Sequence, residues 1–149
     1  GEETCDAIRQ GYADAGWGEA VEVLPFIDDM AEAYSRHQLV LCRAGATTIA
    51  ELTACGRAAL LIPYPYAAGD HQTANASALA QRGAALLLPQ SELVGETLAK
   101  LVADLLRDHA RLQDMADAAR SLGRLGAAQR ILNECRSLLK GQTVLHGAH

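Results

Sequence analysis

The sequence predicts an open α/β fold: a Rossmann-like parallel sheet with helices on both faces. Two observations carry this. Four short apolar runs, at residues 21–24, 39–42, 59–62 and 85–88, alternate with helical patterns. Apart from Glu22 in the first, they are apolar throughout rather than at every second residue, so both faces of each strand are covered, as in parallel sheets. Each run also stops at a proline or a small-residue loop, where strands give way to helices in βαβ units.

The elements follow in order. Ile8, Tyr12 and Ala15 recur at helical spacing and Gly16 stops them, giving a helix over residues 3–15. Residues 21–24 read as a strand ending at Pro25. Asp28 or Asp29 can cap a helix through Met30, Ala33 and Tyr34. Residues 39–42 form a buried strand, 47–55 a helix closed by Gly56, and 59–62 a strand stopped by Pro63. A loop rich in Pro, Tyr, Gly and Ala spans 64–70. Asp70 caps a helix over 71–82, Gly83 ends it, and the last strand, 85–88, meets Pro89. From Ser91 onward the pattern is helical. One stripe holds Leu93, Leu98, Leu101, Val102, Leu105 and Leu106, and a second holds Leu112, Met115 and Ala119. Ala127, Ile131, Leu132, Cys135 and Leu138 make a third.

Residues 1–140 therefore read as one domain and 141–149 as a flexible tail. Four parallel strands are few for this architecture, so further strands from a preceding segment are expected to complete the sheet. The start, Gly1-Glu2-Glu3-Thr4, has no initiator Met and reads as part of a longer protein.

Bulk composition narrows the function. Half the 149 residues are apolar and 21% are charged, which fits one globular domain with a core of ordinary size. The net charge of -5, with no basic run, argues against a nucleic-acid surface. Cys5, Cys42, Cys55 and Cys135 show no CxxC or zinc spacing and read as reduced thiols of a cytoplasmic protein. No apolar run reaches the roughly 18 residues of a membrane span. Asp28 and Asp29 lack a third ligand nearby, so no metal site is expected there. No cofactor is expected either.

Chemistry-bearing residues gather at the strand ends, where open α/β sheets bind ligands. The first cluster is Arg43-Ala44-Gly45-Ala46-Thr47-Thr48. Gly45 lets a ligand approach the backbone, and the following helix offers free N–H groups and its positive dipole end to a diphosphate. Thr47 and Thr48 either cap that helix or donate to phosphate oxygens. Glu51, one turn on, either accepts from vicinal ribose hydroxyls or is a solvated charge. His71, Gln72 and Asn75 open the next helix with donors and acceptors that suit sugar hydroxyls, or they are polar surface. In the turn after the first apolar run, the Ile27 backbone can read a flat base edge between Phe26 and Met30. The plainer reading is a hydrophobic staple.

Taken together, three ordered motifs resemble the MurG family: 23–30 (VLPFIDDM), 42–51 (CRAGATTIAE) and 70–76 (DHQTANA) with Pro63 before it. The similarity is clear from residue 1 to about 88. The resemblance implies the C-terminal half of a GT-B glycosyltransferase that moves GlcNAc from UDP-GlcNAc to lipid I, giving lipid II for peptidoglycan, with inversion. It implies that Ile27 contacts uracil beside Phe26 and Met30. Arg43, Ala44, Gly45, Ala46, Thr47 and Thr48 would then line nucleotide and diphosphate, and Glu51 would hold the ribose. His71 and Gln72 would reach GlcNAc, with Asn75 supporting them. No catalytic residue falls in this chain, and the lipid I site would lie in an N-terminal domain. The full enzyme would sit peripherally on the inner face of the cell membrane, though this half shows no basic amphipathic helix to make that contact. The alternatives are another GT-B enzyme of UDP-sugars (a glycolipid glycosyltransferase or a UDP-GlcNAc 2-epimerase) and a standalone nucleotide-binding module.

Overall fold

A computed structural model describes residues 2–145. It separates into two compact units, Gly1–Arg36 and His37–His149.

In the first unit, α1 (Glu2–Asp14) ends where Gly16 turns left-handed at φ 80°. Arg9 lies along α1. Its Nη1 donates to Asp6 Oδ1 at 2.7 Å and its Nη2 to the Val23 carbonyl at 2.8 Å. The strand expected over 21–24 does not form among the described residues. A strand needs a ladder partner, and here the Val23 carbonyl is taken by a side chain instead. Asp29, not Asp28, caps α2 (Met30–Arg36): its Oδ1 accepts from the Glu32 N–H at 2.8 Å.

The second unit holds the sheet. Its three strands are β1 (Leu39–Cys42), β2 (Ala58–Leu61) and β3 (Ala85–Leu87), parallel, in the order β1-β2-β3. Leu39 pairs with Ala58, and Leu60 with Leu86. The described sheet thus has three strands where the apolar runs suggest four. Its crossover helices are α3 (Ala46–Cys55) and α4 (His71–Ala80). Right-handed crossovers running the same way along a sheet place both on one face.

The other face is covered by α5 (Gly95–Arg107) and α6 (His109–Leu122). Ala58 packs there with Leu105, Leu112 and Met115, while Leu60, Ile62 and Leu88 meet Leu98, Leu101 and Val102. Leu60 and Leu105 are fully buried, each worth about 2 kcal/mol of apolar transfer. The first two apolar stripes of the tail are therefore core, except Leu93 and Leu106 at their exposed edges.

Two glycines let α3 and α6 meet. Gly56 closes α3 at φ 60°, and a side chain there would strike Arg120. At Gly123 a Cβ would lie 2.7 Å from the Thr53 carbonyl. The third stripe lies on α7 (Ala127–Leu145), where Ile131 and Leu138 are 63% and 70% exposed. The helix runs on through 141–145, and the rest of the expected tail, 146–149, lies outside the described residues.

Candidate functional site

The carboxyl end of β1 runs into Arg43, Ala44 and Gly45 and then α3. Gly45 is the N-cap residue, with φ −66° and ψ 149° and no side-chain cap bond. Thr47 and Thr48 lie inside the helix, so neither is its cap, contrary to one of the readings above. The first helical bond runs from the Ile49 N–H to the Gly45 carbonyl at 2.9 Å. The N–H groups of Ala46, Thr47 and Thr48 therefore have no partner within the helix. A Cβ on Gly45 would meet only Thr48 Oγ1, at 3.8 Å. Room at Gly45 beside amides without helical partners, at a positive dipole end, is an arrangement able to receive an anion.

Cys42 ends β1. Burial pushes its thiol up to about 11, which keeps it neutral and unreactive at this junction.

Three loops are tied together behind that space. Asn75 Nδ2 donates to the Ala44 carbonyl at 3.0 Å, fastening α4 to the β1–α3 loop. Gln72 Oε1 accepts from the Tyr64 N–H at 3.0 Å, fastening α4 to the segment after β2. Arg43 Nη1 donates to the carbonyls of Ile62 and Pro63 at 3.2 and 3.1 Å.

His71 enters α4 from a double left-handed turn, with φ 61° at Gly69 and 52° at Asp70. Its Nδ1 donates to the Ala68 carbonyl at 2.7 Å, so Nε2 of the neutral ring is an acceptor. Asp70 stands at the N-cap position without a side-chain bond to the helix. That corrects its reading as a side-chain cap, because a left-handed backbone does not aim the carboxylate at the first N–H groups, as an extended cap residue does.

Glu51, half-buried on α3, lines a groove of about 820 Å³ bounded by α3, the end of α4 and the junction of α6 with α7, together with Thr47, Ala50, Arg82 and Leu125. A smaller cleft of about 350 Å³ opens past β2 and β3, between Pro63, Tyr66, Thr73, Gln90 and Ser91. Sequence reasoning did not single out Tyr64 and Tyr66, whose rings meet edge to face at 5.6 Å. The Pro-Tyr-Pro-Tyr run was the available signal. Phe26, Ile27 and Met30 belong to the first unit, where all three are exposed, Phe26 by 74%. Among the described residues, no cluster of His, Cys, Asp and Glu could hold a metal ion. No helix there is long and apolar enough to cross a membrane.

Comparison with known proteins decides the family. The model of the glycosyltransferase family 28 C-terminal domain matches residues 1–131. The chain belongs to that family. Among curated glycosyltransferase family 28 relatives is the UDP-N-acetylglucosamine--N-acetylmuramyl-(pentapeptide) pyrophosphoryl-undecaprenol N-acetylglucosamine transferase of Syntrophotalea carbinolica. It is 60% identical over 138 residues, covering 93% of this chain and 38% of that protein. The protein of the same name from Aromatoleum aromaticum is 51% identical over 142 residues, covering 95% and 39%. The crystal structure of Acinetobacter baumannii MurG superposes with a TM-score of 0.73 at 43% identity, covering 78% of this chain and 33% of that one. The chain thus spans less than two-fifths of the length of these curated family 28 relatives.

Proposed function

We propose that this chain is the donor-binding half of an enzyme that transfers GlcNAc from UDP-GlcNAc to lipid I, giving lipid II for peptidoglycan. The observation that carries this is the α3 N-terminus: unpaired amides at Ala46, Thr47 and Thr48 behind the open space at Gly45. It supports a diphosphate there, along the loop that carries Ala44, Gly45 and Ala46. Glu51 would take the ribose hydroxyls, and His71 and Gln72 the sugar. The Ile27 backbone, flanked by Phe26 and Met30, would take uracil. The names of the relatives supply the sugar and the acceptor.

In the reaction, the acceptor hydroxyl oxygen attacks the anomeric carbon and its bond to the diphosphate breaks. The electron pair leaves on UDP, and the hydroxyl proton passes to a base outside this chain. The helix dipole and backbone donors of α3 would stabilise the charge developing on the diphosphate without a metal ion. The lipid-linked acceptor would be held elsewhere in the enzyme, which would work peripherally at the inner face of the membrane.

Calorimetric titration with UDP-GlcNAc, UDP-galactose and UDP tests the reading, repeated with Glu51→Ala. Binding that favours UDP-GlcNAc and is weakened about tenfold or more by Glu51→Ala is the expected result. Equal affinity for all three would remove the sugar assignment. Binding untouched by Glu51→Ala would remove the ribose contact.

A further inference from the structure

Arg43 stands beside the anion site, and its charge invites assignment to the diphosphate. Its geometry points elsewhere. One nitrogen, Nη1, holds the carbonyls of Ile62 and Pro63 at the end of β2. The guanidinium carbon lies 5.6 Å from the centre of the Tyr64 ring, over its face. The Tyr64 ring is braced in turn by the edge-to-face contact with Tyr66. Arg43 therefore grips three consecutive residues, 62 to 64, by two carbonyls and one aromatic face. The next link is the Tyr64 N–H, which donates to Gln72 Oε1 at 3.0 Å.

That link has a chemical consequence. A glutamine amide offers an acceptor oxygen on one side and two N–H donors on the other. With Oε1 held by the Tyr64 N–H, the group Gln72 has left for a ligand is Nε2, a donor. We propose that Arg43 is a positioning residue: through Tyr64 it fixes the Gln72 amide so that Gln72 recognises an oxygen acceptor, a hydroxyl or carbonyl oxygen on the ligand. The identity of that ligand as the sugar part of UDP-GlcNAc rests on the donor-binding reading above. The positioning itself does not. Lysine reproduces this arrangement poorly, because its single compact ammonium cannot both sit at Nη1 between the two carbonyls and place a delocalised cation over the ring.

The test uses the full 149-residue chain, with Arg43→Lys, Tyr64→Leu and Gln72→Glu. One measurement is hydrogen exchange of the backbone amide at position 64, read by NMR beside the β2 amides as a check on the fold. The other is calorimetric affinity for UDP and for UDP-GlcNAc. Arg43→Lys and Tyr64→Leu are expected to speed exchange at position 64 by about tenfold, the order of losing one well-placed hydrogen bond, with β2 protection unchanged. UDP affinity should stay within about twofold, while the advantage of UDP-GlcNAc over UDP falls by about tenfold.

Gln72→Glu keeps an oxygen for the Tyr64 N–H and replaces the donor by an acceptor. It should leave exchange unchanged and still abolish the UDP-GlcNAc advantage. The proposal is overturned if Arg43→Lys weakens UDP itself with exchange at position 64 unaltered, since Arg43 would then be a direct phosphate ligand. It is also overturned if Gln72→Glu retains the advantage. If the wild-type chain binds neither nucleotide, the donor reading is tested by the same titration on the longer enzyme, and the exchange data still decide the role of Arg43.

Discussion

Asn75 on α4 donates through Nδ2 to the carbonyl of Ala44, 31 positions earlier, at 3.0 Å. Ala44 is fully buried, so this carbonyl has little water to turn to. The bond satisfies it and holds the loop that carries Gly45.

Asn75→Ala should therefore cost about 1–2 kcal/mol of stability, the range for leaving a buried carbonyl unpaired. Asn75→Asp should cost more, because a carboxylate set against a carbonyl adds repulsion and no donor. Urea denaturation of the three proteins measures this. An aspartate variant as stable as wild type would show that the contact does not hold the loop.

Gly45 separates binding from folding. Its φ of −66° suits any residue, and a Cβ there meets nothing closer than 3.8 Å. Gly45→Ala should leave thermal stability unchanged or slightly raised, by up to about 1 kcal/mol from reduced freedom of the unfolded chain. It should weaken UDP by about tenfold or more if the diphosphate approaches the backbone there. A variant that binds UDP normally would remove the diphosphate from this loop.

Gly123 and Gly56 are the opposite case. A methyl at Gly123 would press on the Thr53 backbone carbonyl at 2.7 Å, and backbone cannot swing aside. Gly123→Ala should destabilise by about 2 kcal/mol, within the range for overpacking. Gly56→Ala adds left-handed strain at φ 60° but meets only the Arg120 side chain, so about 1 kcal/mol is expected. Calorimetric melting curves check the order. A harmless Gly123→Ala would mean that α6 does not pack on α3 as described.

Cys42 and Cys135 should differ in reactivity. Only thiolate reacts with iodoacetamide, and burial raises Cys42 from 9.0 to about 11 while Cys135 is exposed. At pH 8 Cys135 should be alkylated first, with Cys42 protected until the chain unfolds. The sign for stability follows: a thiol favoured in its neutral form supports the fold below pH 9. That support is lost as pH rises from 9 toward 11. Peptide mapping after timed alkylation reads the order, and equal rates would contradict the burial of Cys42.

Strand–helix alternation was legible wherever the signal was local. The runs that became β1, β2 and β3, the glycine closing α3, and the stripe Leu112, Met115 and Ala119 all appear in the sequence as expected. Residues 21–24 carried a similar local signal, interrupted by Glu22, and did not become a strand. Apolar character allows an extended segment, but hydrogen bonding to a neighbouring strand makes it one. Arg43 shows the same divide at the site, since its charge is written in the sequence and its partners are not.

By itself the sequence determined the parallel α/β order, the strand ends where the candidate site lies, and the small-residue turn into α3. These follow from periodicity, proline and glycine, which act within a few residues. Only the tertiary structure decided which apolar runs pair and that Gly45, not Thr47, occupies the cap. It also decided that Arg43, Gln72 and Asn75 tie loops together and that the α7 stripe is uncovered among the described residues. Each depends on groups roughly ten to thirty positions apart or on the backbone angles of one loop, and hydrogen bonds across such distances leave no periodic trace in the chain.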